Sequence, residues 1–341
     1  MKIANCDTDD YVLIVAEIGN NHEGDLVLAE EMIGMASDAG ADAVKFQTYR
    51  TEHYVGSANK ARFEMLKSFE LSFDEFAQLK ETADKTGVIF LSTPFDLASA
   101  EFLNRIVPAF KIASGDNTFY PLMQTIARFG KPIILSCGLA GMPELEYARA
   151  LISRIWNEIG ANPGLAALHC VSSYPVPSQE ANLRAIQKLK ENLGCVVGYS
   201  DHTLGIEAAA LSVAAGARIV EKHFTIDKDY SDFRDHKLAA DPSELKMLVA
   251  RIRNLEDLLG TGQKTIQASE EQHSSLLRRS IVAARNMKAG ETVGPEDITW
   301  IRPGGGIPPG REDMVLARTL TRNVAQGEPF TSDNLKDKKV S

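Results

Sequence analysis

Short apolar runs of strand length alternate, through the first three quarters of the chain, with longer stretches in which apolar residues recur every three or four positions. Eight runs read as strands: 12–18, 43–47, 88–92, 109–113, 132–136, 165–171, 195–199 and 218–224. The stretches between them read as amphipathic helices. In 26–39, for example, Leu28, Met32, Met35 and Ala36 share one face. Gly40, Gly87, Gly130, Gly160, Gly194 and Gly216 each stop a helix shortly before the next strand, and a last helix is predicted over 242–259. Eight such βα units over about 260 residues match a (β/α)8 TIM barrel, whose parallel strands need crossover helices. The alternative, an open doubly wound sheet, calls for a G-x-G-x-x-G turn after the first strand, and Glu17-Ile18-Gly19-Asn20-Asn21-His22-Glu23-Gly24 is not one.

The periodicity then stops. Residues 260–279 are polar, with Gly260, Gly262 and a Gln/Ser/Glu-rich stretch, and read as a linker between a barrel domain at 1–259 and a small β-rich domain at 280–341. That tail carries a weak duplication: Arg285-Asn286, Gly290-Glu291 and Ile298 are echoed 37 positions later by Arg322-Asn323, Gly327-Glu328 and Leu335. Two similar units of that size predict a pseudo-symmetric fold rather than a loose tail.

Composition narrows the function classes. The 341 residues include 37 Lys and Arg against 46 Asp and Glu, a net charge of −9, with no basic stretch to neutralise phosphates, so nucleic-acid binding is disfavoured. No apolar run approaches the roughly 18 residues of a membrane span. Residues 1–10 hold three aspartates and no apolar signal core, so a cytoplasmic protein is expected. Cys6, Cys137, Cys170 and Cys195 show no C-x-x-C spacing and read as buried reduced thiols.

Chemistry in such a barrel gathers at the C-terminal ends of the strands, and here polar residues close most of the runs: Glu17; Lys45 and Gln47; Ser92 and Thr93; Lys111, Ser114 and Asp116; Ser136; His169, Ser172 and Tyr174; Ser200, Asp201 and His202; Glu221, Lys222 and His223. Two lysines with several hydroxyls point to an anion site for phosphate or carboxylate. His202 and His223 end neighbouring strands, so both imidazoles can reach one point above the barrel; they fit either a divalent ion with open positions or a hydrogen-bonded pair. Glu221, facing as His223 does, either positions water beside such an ion or neutralises Lys222 or Lys45. His22 and His236 read as polar residues of loops.

Several of these segments carry a resemblance. Glu17-Ile18-Gly19-Asn20-Asn21-His22-Glu23-Gly24, Lys45-Phe46-Gln47-Thr48, Lys111-Ile112-Ala113-Ser114-Gly115-Asp116, Tyr199-Ser200-Asp201-His202-Thr203 and Glu221-Lys222-His223-Phe224-Thr225 resemble the bacterial sialic acid synthase family. The tail with Arg302-Pro303-Gly304-Gly305-Gly306 looks like that family's antifreeze-like (SAF) domain. The resemblance implies condensation of phosphoenolpyruvate with an N-acetylated aldohexose, N-acetylmannosamine or a related diacetamido sugar, to a nine-carbon 2-keto-3-deoxy acid with release of phosphate. It implies that Lys45, Lys111, Ser114, Ser136 and Ser200 contact phosphoenolpyruvate, and that His202 and His223 hold a divalent metal, Mn2+ or else Mg2+ or Co2+. Glu17, Tyr174 and Asp235 match positions near the sugar, with Gln47 beside them, and Asp116 and Glu221 match acidic residues near the metal. Arg302 matches an arginine that acts in trans within a domain-swapped homodimer. Ser172 stands where some members carry an asparagine, Cys137 where threonine is common and Ala239 where a serine often follows Asp235-His236-Lys237; these departures bear on the sugar. The segment 50–71, longer than an ordinary βα loop, is expected to cover the barrel mouth.

For the acid/base role Glu221, Glu17 and Asp116 stand as alternatives. Two rival functions stand beside the synthase: a Schiff-base aldolase or lyase using Lys45 or Lys111, and a non-catalytic saccharide-binding barrel.

Overall fold

The computed structural model describes residues 1–336. The chain divides at Gly260 into two compact units. In the first, eight parallel strands run in cyclic order: β1 (Leu13–Gly19), β2 (Ala43–Thr48), β3 (Ile89–Pro94), β4 (Phe110–Ile112), β5 (Ile133–Ser136), β6 (Leu165–Cys170), β7 (Val196–Asp201) and β8 (Ile219–His223). The sheet order is β3-β2-β1-β8-β7-β6-β5-β4, and β3 and β4 lie against each other to close the barrel. All eight predicted strands are present.

The period of two along each strand separates the barrel's contents into layers. Inward at the N-terminal ends stand Leu13, Ala43, Ile89, Ala109, Ile134, Ala166 and Ile219, packed on Ile3 and Cys6 of an N-terminal hairpin. Outward residues such as Ile14, Val44, Phe90, Phe110 and Val197 pack against the helices in a separate, larger core. Two or four positions further along the same inward faces come Glu17, Lys45, Lys111, Ser136, Ser200 and Glu221, all buried. An apolar floor therefore excludes water from below, and the charged layer above it opens only at the C-terminal mouth. The last barrel helix, Pro242–Leu259, fastens first and last elements together: Arg253 donates to both carboxylate oxygens of Asp42 at 2.9 and 2.7 Å and to the Val12 carbonyl at 2.8 Å.

Two segments differ from the sequence reading. Residues Ala268–Leu277, inside the stretch read as a linker, form a helix of the second unit; Glu270 caps the Gln267 backbone N–H at 2.9 Å, and no residue of the helix is buried, so it lacks the apolar stripe by which helices are recognised. The 50–71 segment is largely helical, with helices at Thr51–Tyr54 and Lys60–Phe69.

The second unit keeps the duplication in its hydrogen bonds. Met287 and Val324, 37 positions apart, exchange backbone bonds at 2.8 and 3.0 Å. Asn286 Oδ1 accepts from Gln326 N at 2.8 Å, and its counterpart Asn323 Oδ1 accepts from Ala289 N at 2.9 Å. Arg285 pairs with Glu291 and Arg322 with Glu328 in the same way. Ser280–Ala283 and Ile298–Ile301 form an antiparallel pair over a core that includes Ile281, Val315, Leu320 and Phe330.

Among the described residues no helix is long and apolar enough to cross a membrane. All four cysteines are free, three of them buried and Cys195 half-buried.

Candidate active site

Strand register assembles the site. His223 on β8 lies beside Glu17 on β1, Glu17 beside Lys45 on β2, and Glu221 on β8 beside Ser200 on β7. The ladder shifts between Glu17 and Gly19, and Gly19 takes a left-handed φ of 58°. Above the charged layer opens a cavity of about 940 Å³, the size of a small-molecule site, among whose lining residues are both lysines and both strand-end histidines.

Two ammonium groups and two carboxylates sit at its base. Lys45 Nζ is 2.7 Å from Glu17, 3.7 Å from Glu221, and donates to Thr93 Oγ1 at 3.1 Å. Lys111 Nζ donates to Ser136 Oγ at 2.6 Å and is 3.7 Å from Glu221. Ser200 Oγ donates to Glu221 at 2.8 Å, and Gln47 Nε2 to Glu17 at 3.3 Å. The two carboxylates are driven apart in acidity. Burial, reinforced by the neighbouring Glu221 charge, outweighs Lys45 and pushes Glu17 up to about 7. Burial acts on Glu221 too, but Lys111, Lys45 and the Ser200 hydroxyl outweigh it and hold that carboxyl down at about 2. Such divergence marks one permanent anion and one proton carrier. Burial opposes the charge on Lys45, yet Glu17 and Glu221 raise its pKa, whereas burial dominates at Lys111 and lowers it.

At the rim the His202 and His223 rings stand 5.3 Å apart, with Tyr174 4.2 Å from the His202 ring. His202 Nδ1 donates to the Val171 carbonyl at 2.9 Å, which leaves Nε2 to face a ligand. Against burial, the Cys170 thiol and that carbonyl raise the pKa of His202, so a cation and a proton compete for Nε2. Burial and the cations around it hold His223 well below its ordinary value, hence neutral, and its buried Nδ1 has no hydrogen-bond partner. Asp235 Oδ2 lies 4.0 Å from that nitrogen. Among the described residues no group of three or more His, Cys, Asp and Glu could hold a metal. Two imidazoles, one with an unpartnered buried nitrogen, nevertheless fit a divalent ion that keeps positions open for water and substrate oxygens.

Of the residues singled out in the sequence, Glu17, Lys45, Gln47, Lys111, Ser114, Ser136, Ser172, Tyr174, Ser200, His202, Glu221, His223 and Asp235 all line the cavity. Asp116 sits beyond it on the turn Ser114–Asp116, where burial raises its carboxyl to about 6 against the Lys111 charge. Arg302 lies in the second unit, where its Nε donates to the Leu277 carbonyl at 2.6 Å. Lys222 points out of the barrel and pairs with Asp201 at 2.9 Å, so Glu221 answers Lys45 and Lys111 instead. Tyr54, Arg62, Met65, Leu66 and Phe69 of the 50–71 segment line the mouth.

Sequence reasoning missed Asn117 and Gly138. Buried Asn117 donates to the Gly138 carbonyl at 2.7 Å, and the N–H of the same residue, on the preceding peptide, donates to Ser114 Oγ at 3.1 Å. A Cβ on Gly138 would stand 2.7 Å from Ser114 Oγ and closer still to Ser172 Oγ. No pattern in the sequence signals that crowding. Gly138→Ala is accordingly expected to displace both hydroxyls and weaken binding of a phosphate- or carboxylate-bearing ligand by about tenfold or more, as one charge-assisted contact is lost. Titration calorimetry with phosphoenolpyruvate reads the change, and unaltered affinity would remove Ser114 and Ser172 from the anion site.

Comparison with known proteins shows the family. Residues 32–264 match the NeuB family and residues 278–336 the SAF domain. The N,N'-diacetyllegionaminic acid synthase of Campylobacter jejuni subsp. jejuni is 38% identical over 93% of this chain and 98% of that one. The pseudaminic acid synthase of the same organism is 34% identical over 96% and 98%. Among solved structures, the N-acetylneuraminic acid (sialic acid) synthetase of Leptospira borgpetersenii serovar Hardjo-bovis, in complex with citrate, superposes with a TM-score of 0.75 at 40% identity, over 80% of this chain and 94% of that one. With a barrel domain matched over residues 32–264 and a SAF domain following it in sequence, this chain belongs to the NeuB family.

Proposed function

We propose that this chain condenses phosphoenolpyruvate with an acylated amino sugar, forming a carbon–carbon bond and releasing phosphate. The observation that carries the reading is the placement of two buried ammonium groups and a set of hydroxyls directly beside two imidazoles in one cavity. Lys45, Lys111, Ser114, Ser136 and Ser200, with Ser172 beside them, bind the phosphate and carboxylate oxygens of phosphoenolpyruvate, and the lysines stabilise charge on the departing phosphate. The methylene carbon of the enol attacks the aldehyde carbon of the open-chain sugar, whose oxygen takes up a proton and becomes a hydroxyl; water adds to the adjacent electron-poor carbon; the resulting tetrahedral centre loses its hydroxyl proton, expels phosphate and becomes the 2-keto acid. Glu221 stays ionised throughout. Glu17, poised near neutrality, takes the proton from the attacking water.

A divalent ion, Mn2+ first, belongs on His202 and His223, where it would act as a Lewis acid toward the aldehyde oxygen. Tyr174 and Asp235 orient the sugar. Tyr54, Met65, Leu66, Phe69 and Phe233 give the outer cavity an apolar face suited to a deoxygenated, N-acylated sugar such as a 2,4-diacetamido-trideoxy hexose. On this reading Arg302 completes the site in trans within a homodimer, and the protein works in the cytoplasm.

A panel of acylated aldoses incubated with phosphoenolpyruvate and Mn2+, scored by phosphate release and product mass, tests the proposal. Phosphate is expected only when both substrates are present, and a chelator is expected to stop it. Borohydride trapping with pyruvate should leave the protein mass unchanged; a pyruvate adduct on Lys45 or Lys111 with chelator-resistant activity would favour the aldolase instead. A protein that binds the sugars and releases no phosphate would favour the saccharide-binding barrel.

A further inference from the structure

His236 belongs to none of the roles assigned above. It is fully buried, does not line the cavity, and engages both ring nitrogens: Nδ1 is 2.7 Å from Thr225 Oγ1, and Nε2 donates to Glu23 Oε1 at 3.2 Å. Those partners come from different places. Thr225 follows the end of β8, two residues after His223, and Glu23 lies in the loop after β1 and lines the cavity. The same Glu23 oxygen accepts from Ser231 Oγ, which in turn accepts from Phe233 N at 3.0 Å.

The whole excursion 225–240 is pinned at its base, where Thr225 N donates to the Ala240 carbonyl at 3.0 Å and Ala240 N to the His223 carbonyl at 2.7 Å. Its returning limb, leading into that base, is the short helix Arg234–Leu238. There Arg234 Nε donates to Asp235 Oδ1 at 3.1 Å while its guanidinium lies 4.5 Å over the Tyr174 ring. One imidazole thus ties the exit of β8, the loop after β1 and the helix that carries Asp235. A polar group buried with both nitrogens engaged has a single orientation, and backbone attached to it inherits that restriction.

We propose that His236 is a positioning residue: held between Thr225 and Glu23, it fixes the 234–238 helix so that Asp235 faces His223 at the sugar end of the cavity, while itself touching no substrate. The inference rests on the condensation reading for its kinetic arm, and its second arm is independent of that reading.

The kinetic arm measures His236→Ala and Asp235→Ala singly and together. Displacing an orienting carboxylate by about 1 Å costs on the order of 100-fold. His236→Ala is therefore expected to lower kcat/KM for the acylated sugar by about that factor, mainly through KM, while KM for phosphoenolpyruvate changes less than about twofold. In the Asp235→Ala background the same substitution should add less than about threefold, since residues acting through one another are not additive. Glu23→Gln, which keeps an acceptor oxygen for Nε2–H, should retain most of the activity that Glu23→Ala loses. The independent arm is amide hydrogen exchange over 225–240, which should lose protection in His236→Ala and Glu23→Ala and keep it in Glu23→Gln. Full additivity with Asp235→Ala, equal loss toward both substrates, or unchanged exchange in His236→Ala would each overturn the proposal. A wild-type enzyme inert toward all sugars, with exchange responding as stated, would overturn the condensation reading and leave the latch standing.

Discussion

Lys111→Met is expected to lower turnover of phosphoenolpyruvate with an acylated sugar by about 10³-fold, the scale seen when one preorganised electrostatic contact to developing charge is removed. Lys111 lies in the middle of β4 with its ammonium 2.6 Å from Ser136 Oγ and 3.7 Å from Glu221, and nothing at this depth but its own neighbours replaces water around it. Burial lowers its pKa, which means the fold carries a cost for the charge that is recovered when an anion arrives. Methionine keeps the unbranched length without the charge; removing one ion of a buried cluster takes a cation from Glu221, so a lower melting temperature is expected, while Lys45, 3.7 Å from the same carboxylate, remains to compensate it in the folded barrel. Lys111→Arg is expected not to restore turnover, because a planar guanidinium cannot occupy the space of a compact ammonium beside Ser136. Steady-state kinetics with a thermal melt checks both variants. Activity within tenfold of wild type in a folded Lys111→Met protein would place the phosphate elsewhere.

Glu17→Gln is expected to reduce kcat by about 10² to 10³-fold and to erase an ionisation near pH 7 from the profile of kcat/KM, the range spanned by a lost general acid or base. The wild-type profile should rise through about pH 7 as Glu17 loses the proton it otherwise holds. The same shift has a stability signature. An ordinary glutamate in the unfolded chain ionises near 4.5, and the folded one near 7. Between those values the native state holds a proton the unfolded state has shed, so stability falls as pH rises from about 4.5 to 7 and stays reduced above it. Glutamine carries no such deficit. At pH 8 the Glu17→Gln protein should therefore melt higher than wild type, and near pH 4.5 the difference should vanish. A variant that melts lower than wild type at pH 8 would mean that the Lys45 pair, 2.7 Å long, outweighs the burial.

Much of the site was legible because a strand alternates its faces. Glu221 and His223 share one face and Lys222 the other, so the period of two already separates the two lysine roles that residue type alone confuses; Lys222 indeed turns away to Asp201. The duplication over 37 positions foretold paired units, and the reciprocal bonds of Asn286 and Asn323 are its physical form. The helix Ala268–Leu277 was illegible because a helix with no buried face has no hydrophobic period to show. Gly138 and Asn117 were illegible for a different reason: their importance lies in which hydroxyls of β4 and β6 loops crowd against one peptide, a property of the assembled mouth. The divergence of Glu17 from Glu221 is likewise set by how many cations each carboxylate faces, which only register decides.

A crystal of the protein soaked with Mn2+ and phosphoenolpyruvate shows whether ion and anion share the barrel mouth. Anomalous scattering from the ion is expected between the His202 and His223 rings, at ordinary metal–imidazole distances of about 2.0–2.2 Å, with the phosphoenol held by Lys45, Lys111 and Ser136 beside it. Rings turned apart around no ion, with the phosphoenol missing from between the two lysines, would contradict it.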